Sequence, residues 1–476
     1  MASVLFIQNI FFELIGVMSI SAHLKHAGHN VDLIIENDPG RVIRYMRGRN
    51  RPDIVAFSAV TGQHKTVLEI AGAIKESFGP IPIVVGGAHP TFFPEIIKEE
   101  GIDIICRGEG EEAMTELADR LDGGAGIAQG GSENIQNLWV KTGDKLSKNE
   151  VRPLIEDLDS LPFPDRTVYA KYAYLAAHPV RRFMSGRGCP YECSFCFNHA
   201  QKKLYAGKGR FVRMRSAQNV LDEITKVARE YPTMKRVKFE DDTFTLSKRW
   251  TMDFLARYRT RTDMSFACYS RADCVDDELA RALKEAGCDR LDFGLESGDE
   301  RIRNEILNKR LTDEQIIRAA EVLRRNGVPF GTANMFGLPG ETFEEALKTV
   351  NLNRRIRPHD VWGAVFQPYP GTECGRYVLE KGYCKELSVD DIKSDYQTGT
   401  LLVQKDIRKV VNLHKFFYLF VMFPITMKLI LPLLSLPGNR LFTLAHRMLY
   451  FLGYATRTKS GFAQILKDIR AAMKYR

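Results

Sequence analysis

Residues 185–200 read SGRGCPYECSFCFNHA and carry Cys189, Cys193 and Cys196 in a C-x3-C-x2-C spacing. The run RFMSGRG that leads into them has the look of a strand, so the thiols fall on the loop that leaves it. Three thiolates this close suit a soft metal centre. A 4Fe–4S cluster takes one thiolate per iron, and three of them leave the fourth iron open. A structural zinc ion would instead need a fourth ligand at tetrahedral reach, and His199 stands three residues beyond the last cysteine. Spacing alone leaves both readings open.

Working outward, RFMSGRG is the first of six apolar runs. RVKFEDD, MSFACYSR, RLDFGLES, PFGTANMFG and VWGAVFQ follow, and segments of helical periodicity such as SAQNVLDEITKVAREY, DDELARALKEAG and TDEQIIRAAEVLRRNG separate them. Six strand–helix units predict an open, partial (β/α)6 barrel over residues 179–386, with its site at the C-terminal ends of the strands.

The chain resembles the radical S-adenosylmethionine (SAM) superfamily at several points along about 200 residues. The cysteine triplet matches, with the aromatic Phe195 just before its last member. FEDDTFT supplies Glu240, Asp241 and Asp242 at the end of the second strand, expected over the barrel mouth. YSRAD supplies Arg271, a fixed cation suited to a carboxylate. GLESGDERI supplies Glu296 and Ser297, and FGLPGET supplies Gly337 and Gly340, expected to let backbone approach a ligand. The resemblance implies a 4Fe–4S cluster on Cys189, Cys193 and Cys196, and SAM contacts from these residues together with Phe195 and Phe197. The remaining cysteines, Cys106, Cys268, Cys274, Cys288, Cys374 and Cys384, show no second cluster spacing and read as small buried apolar residues.

Ahead of the barrel, SVLFIQ, VDLII, DIVAFSA, IPIVVGG and IDIICRG alternate with the helical stretches IGVMSISAHLKHAG, HKTVLEIAGAIKESFG and PEIIKEEG. Such alternation predicts a doubly wound, Rossmann-like parallel sheet over residues 1–145. A Gly-rich stretch, DGGAGIAQGGSEN, ends that unit or loops from it, LWVKTGDKL reads as a hairpin, and residues 146–178 read as a linker. The domain resembles the cobalamin-binding domains of radical SAM enzymes, whose fingerprint is D-x-H-x-x-G, then S-x-L, then G-G. Here the matching positions are Phe11-x-Glu13-x-x-Gly16, Ser58-x-Val60 and Gly86-Gly87, with His89 on the loop that follows. The resemblance implies cobalamin contacts at Glu13, Gly16, Ser58, Val60, Gly86, Gly87 and His89. Glu13 replaces the histidine that would ligate cobalt, so the cofactor is expected to bind without it; a bare scaffold is the alternative. His23, His26 and His29 read as a solvated helix end.

The 476 residues and nine cysteines, with no basic n-region at the start, predict a multidomain cytoplasmic protein with free thiols. Net charge is +9, but residues 405–476 carry 13 Lys and Arg against Asp406 and Asp468. The preceding residues hold 55 Lys and Arg against 57 Asp and Glu. A near-neutral core argues against a nucleic-acid partner. The basic charge belongs to a helical C-terminal region, 387–476, in which residues 416–436 carry a single charge, Lys428. Pro424 and Pro432 interrupt that run, which favours helices lying in a membrane interface. A soluble cap on the barrel's open edge and a spanning helix are the alternatives.

The expected reaction is methylation of an unactivated carbon, with one SAM methylating cobalt and another supplying the radical. The expected substrate is lipid-like or another small molecule, and the expected electron donor is a flavodoxin or ferredoxin. Radical cyclisation, C–C bond formation or oxidation of a tetrapyrrole or isoprenoid is the first alternative. A non-catalytic cluster or cobalamin sensor is the second. No side chain is named as a general acid or base.

Overall fold

The computed structural model describes residues 1–122, 131–392, 396–397, 399–438 and 440–458, with isolated positions from 464 to 470. Most of the Gly-rich stretch, 123–130, lies outside the described residues. The chain divides into two compact units. One comprises residues 1–178, 200–213 and 468–476, and the other 179–199 and 214–467.

The first unit is built on a seven-stranded sheet. Its Val- and Ile-rich runs form β1 (Ser3–Gln8), β2 (Asn30–Ile35), β3 (Ile54–Ser58), β4 (Ile83–Gly86) and β5 (Ile104–Cys106), all parallel. The hairpin β6 (Leu138–Thr142) and β7 (Lys145–Lys148) adds antiparallel to β5, giving the order β2-β1-β3-β4-β5-β6-β7. Parallel strands need crossover helices, and their apolar runs are buried on both faces. Two core clusters accordingly lie on the two sides of the sheet's strands, one with Val4, Phe6 and Ile54, the other with Leu5, Ile7 and Val55. The crossovers are α1 (Ile15–His26), α2 (Pro39–Arg47), α3 (His64–Phe78), the short α4 (Ala88–Phe92) and α5 (Glu111–Arg120). PEIIK makes a 3-10 turn, not an α-helix.

Two expectations need correction here. The supposed linker is part of the domain, since Val168, Tyr169 and Leu175 are buried in the α1 side core. His29 is not solvated. It is buried, its Nδ1 accepts from the backbone N–H of Ala2 at 3.2 Å, and its Nε2 lies 3.0 Å from Asp119 Oδ1.

The second unit holds six parallel strands: β8 (Val180–Phe183), β9 (Arg236–Phe239), β10 (Ser265–Ser270), β11 (Cys288–Glu296), β12 (Phe330–Phe336) and β13 (Asp360–Val365). They pair in strict chain order, so the sheet is open and β8 and β13 are its edges. Helices α6 (Ala217–Glu230), α7 (Lys248–Arg261), α8 (Asp277–Glu285), α9 (Asp313–Arg325), α10 (Phe343–Ile356) and α11 (Glu373–Glu380) alternate with them. Each begins at a side-chain cap, from Ser216, Ser247, Asp276, Thr312, Thr342 and Thr372 in turn.

The region after residue 387 is not a detachable tail. Helix α12 (Ile407–Met422) buries Phe416, Phe417 and Phe420 in one core with Phe336 of β12, Val350 of α10 and Val361 of β13. The rings of Phe336 and Phe417 are 4.9 Å apart. This helix is the cap on the last strands. Beyond it come α13 (Ile425–Ile430) and α14 (Arg440–Thr458). Among the described residues no helix is long and apolar enough to cross a membrane. Of the cysteines read as buried, Cys274 and Cys384 are only half-buried.

Candidate functional site

In the barrel unit the cysteine loop leaves β8 and is held from two sides. Asp241, just past β9, accepts from the backbone N–H groups of Ser185 and Gly186 and from Ser185 Oγ, at 3.0, 2.8 and 2.7 Å. It is buried, and burial raises its carboxyl to about 6 against those hydrogen bonds. Asp241 is thus a clasp on the loop's first turn. On the other side, Ser194 N–H donates to Leu307 O at 3.0 Å, and Asn308 Nδ2 donates to Glu192 O at 2.8 Å.

The three sulfurs sit close enough to act on one another. Burial pushes the Cys196 thiol up to about 11, and Cys193 and Cys189 add to the rise. Cys189 and Cys193 are raised by burial too, while Lys309 and Arg271 pull Cys193 down. Among the described residues no three His, Cys, Asp or Glu side chains converge on one ion position. A cluster does not require that, because each cysteine takes its own iron. The fourth ligand of the zinc reading, His199, has its Nε2 3.2 Å from Glu373 Oε1. These observations fit a cluster on a soft, half-buried thiol set.

Around the loop the other candidates take different positions. The Arg271 guanidinium stacks 3.6 Å over the Tyr191 ring, pairs with Asp273 at 3.0 Å and donates to Lys309 O at 2.9 Å. It therefore braces the cysteine loop. Glu240 pairs with Arg182 and with Lys238. Asp242 accepts from Asn198 Nδ2 at 3.0 Å. Glu296 has a left-handed φ of 64° at a β-bulge, a conformation that costs a non-glycine residue about 1 kcal/mol or more. Its carboxylate pairs with Lys309 Nζ at 2.8 Å, both largely buried. Ser297 is buried and its Oγ accepts from Asp299 N–H. Phe195 is half-buried against Phe366 and Leu338, and the Phe197 ring meets Tyr369 edge-on at 5.4 Å.

Gly337 and Gly340 are favoured as glycines by their own backbone as well. Both have positive φ, and a Cβ at Gly337 would lie 3.0 Å from Ile407 Cδ1 while one at Gly340 would lie 2.8 Å from Tyr383 Oη. The space is taken by the chain itself. The loop between them is held by Glu341, whose buried carboxyl accepts from Gly337 N–H at 2.6 Å and from Leu338 N–H. Burial raises that carboxyl to about 8. From the C-terminal region Gln404 completes the hold, with Oε1 accepting from Gly340 N–H at 2.9 Å and Nε2 donating to Leu338 O at 2.8 Å. Lys309 and Gln404 carry no local sequence signal; each matters through a partner elsewhere in the chain.

In the first unit the fingerprint positions gather at the C-terminal ends of the parallel strands, where doubly wound sheets bind ligands. Helices α1, α3 and α5 all start there without a side-chain cap, whereas α2 is capped by Asp38. Helix starts without a side-chain cap suit the phosphate of a nucleotide tail. Gly16 is exposed in the first turn of α1, Ser58 and Gly86 end β3 and β4, and Val60 is exposed on the loop after β3. These features fit cobalamin. Gly87, however, is needed internally, because its φ is 93° and a Cβ would meet Ala59 O at 2.8 Å. His89 is buried, bonded to Thr61 Oγ1 at 3.0 Å and stacked on His64 with ring centroids 4.2 Å apart. His64 went unnoticed in the sequence.

The first fingerprint element is filled from within. The Glu13 carboxylate faces buried Arg166 at 3.7 Å. Tyr169 Oη donates to Gln8 Oε1 and accepts from Leu14 N–H, and the Phe11 ring packs on Tyr172 and Tyr174. The 166–174 segment thus latches the β1–α1 loop where a histidine would stand. Glu13→His should therefore lower the domain's stability by about 3–5 kcal/mol, since it takes a buried carboxylate from a buried cation. Chemical denaturation measures this, and a variant as stable as the parent would remove the latch from the account.

The sequence profile of the radical SAM superfamily matches residues 183–352, and that of the B12 binding domain matches residues 12–118. An uncharacterized methyltransferase of Pyrococcus horikoshii is 33% identical over 69% of this chain and 70% of its own length. The anaerobic magnesium-protoporphyrin IX monomethyl ester cyclase of Rubrivivax gelatinosus is 30% identical over 74% of this chain and 64% of its own. Among solved structures, the cobalamin-dependent SAM radical enzyme OxsB, with aqua-cobalamin and SAM bound, superposes with a TM-score of 0.69 at 18% identity, covering 96% of this chain and 71% of that one. The chain belongs to the radical SAM superfamily, among the members that carry a cobalamin-binding domain ahead of the barrel. It is a radical SAM enzyme, and its cofactors are a 4Fe–4S cluster, SAM and cobalamin.

Proposed function

We propose that this enzyme methylates an unactivated carbon of a lipid-like or other small-molecule substrate. The reading is carried by the three-cysteine loop and a cobalamin-type crevice in one chain, supported by the relative named a methyltransferase. When bound, the cluster with SAM supplies radical activation of a C–H bond and cobalamin supplies the methyl carrier.

The chain's own residues position these groups. Cys189, Cys193 and Cys196 would hold the cluster. Phe195, Phe197, Glu240, Asp242, Arg271, Glu296, Ser297 and the Gly337–Gly340 loop would serve SAM, with Lys309 and Arg271 keeping positive charge beside the Cys193 sulfur. Asp241, Glu341 and Gln404 fix the loops on which those contacts depend. Gly16, Ser58, Val60, Gly86, Gly87 and His89 would border cobalamin, with Glu13 held by Arg166 and not by the metal. A flavodoxin or ferredoxin is the electron donor in this reading, and the C-terminal helices make peripheral contact with the cytoplasmic face of a membrane.

Ring closure on a tetrapyrrole or isoprenoid is the second reading, favoured by the cyclase relative. Product analysis separates the two. Anaerobic, cofactor-loaded enzyme given excess SAM and a low-potential reductant, and incubated with a lipid and small-molecule extract of a deletion strain, should yield S-adenosylhomocysteine and 5′-deoxyadenosine in equal amounts, with a mass gain of one methylene in one extract component. Cyclisation would give 5′-deoxyadenosine without the homocysteine product. A sensor would give neither.

A further inference from the structure

Ten of the fifteen large apolar side chains that stand exposed among the described residues lie between Phe423 and Leu452. They continue from the helix that caps the barrel into elements that turn much of their apolar surface outward. On α13, Ile425 and Leu429 are 73% and 75% exposed, one turn apart, with exposed Lys428 between them. On α14, Leu441, Leu444 and Met448 share one face at helical spacing and are 70%, 56% and 63% exposed. Another face of α14 turns Phe442 and Leu449 toward the core that Phe416 and Phe420 of α12 also enter. So α14 is apolar on two faces: one is packed, the other is bare.

Exposed apolar surface of this density marks a docking site. The charge around it selects the partner. From residue 407 to 467 the chain has nine Lys and Arg and no Asp or Glu. Lys428, Arg440 and Arg447 are exposed among the apolar residues themselves. A second copy of the same face would set cation against cation. An anionic bilayer supplies hydrocarbon for the leucines and phosphates for the cations, and among the described residues no helix is long and apolar enough to cross it.

We infer that α13, the 431–438 connection and α14 form a monotopic docking face for an anionic phospholipid bilayer, while α12 belongs to the barrel and stays out of the lipid. This rests on the peripheral contact proposed above, and it assigns that contact to named side chains. Because Gln404 and Ile407, at the start of the same region, are packed on the Gly337–Gly340 loop, the docking helices and the barrel's loop are parts of one unit.

The test is flotation of full-length, cluster-loaded protein with vesicles of phosphatidylcholine alone or mixed with phosphatidylglycerol, at low and high salt. Wild type should bind the mixed vesicles more tightly and keep part of that binding at high salt. Leu429→Gln with Leu444→Gln should weaken the salt-resistant part by about tenfold per leucine, with melting temperature and cluster absorbance unchanged. Lys428→Gln, Arg440→Gln and Arg447→Gln together should abolish the preference for phosphatidylglycerol. If wild type binds vesicles and both variants bind equally well, the face is misassigned although peripheral contact stands. If wild type binds neither vesicle, or forms dimers that the leucine variant dissolves, both the face and the contact are wrong.

Discussion

A chain cut after Leu387 should lose its barrel, and with it the ability to hold a cluster. The cut removes α12, and so strips Phe416, Phe417 and Phe420 from the core they share with Phe336, Val350 and Val361. It also uncovers β13, an edge strand whose Gly363 lies against His414 and Phe417 of that helix. A bare apolar edge invites aggregation. The same cut takes away Gln404, which holds the backbone of Gly340 and Leu338, and Ile407, which packs on Gly337. The single change Phe417→Ala should already cost about 3–5 kcal/mol, the usual loss for deleting a buried ring. Chemical denaturation of that variant, and solubility and iron content of the shortened chain, measure the effect. A soluble, cluster-bearing protein of 387 residues would show that α12 is an accessory after all.

The strands were legible because their signal is local. Runs such as IPIVVGG and RVKFEDD are short, apolar and bounded by turn residues, and each became a strand at or within a few residues of its expected place. The open barrel followed from six of them in series. The 166–174 segment was not legible, because its apolar residues have no period and act through distant partners, as Tyr169 does on Gln8. The missing histidine of the cobalamin fingerprint could be seen in the sequence, but the partner of the residue in its place could not. That partner is Arg166, more than 150 positions away in the chain.

Within the site, the cysteines could be read from spacing and Glu296 from its motif. The glycines of FGLPGET were noticed for ligand approach, while their positive φ and their neighbours were not foreseen. Sequence shows that a position lacks a side chain; it does not show that Ile407 or Tyr383 fills the space. Lys309 and Gln404 escaped for a related reason, since one lysine or glutamine among many carries no mark until its partners are known. Asp241 looked like its neighbours Glu240 and Asp242, and only the fold separates the buried clasp from the two acids beside it. The C-terminal region divided in a way that composition could not foresee, with α12 facing the barrel core and α13–α14 facing outward.

The chemistry of this enzyme depends first on the cysteine loop. Protein reconstituted anaerobically with iron and sulfide should carry about four irons and four sulfides per chain and show the brown absorbance of a 4Fe–4S cluster. The variant Cys189→Ala, Cys193→Ala, Cys196→Ala should lose both the iron and the colour while its far-ultraviolet circular dichroism is unchanged, and Cys193→Ala alone should abolish reductive cleavage of SAM. A triple variant that keeps the brown cluster, or a wild-type protein that takes up one zinc and no iron, would contradict the cluster assignment.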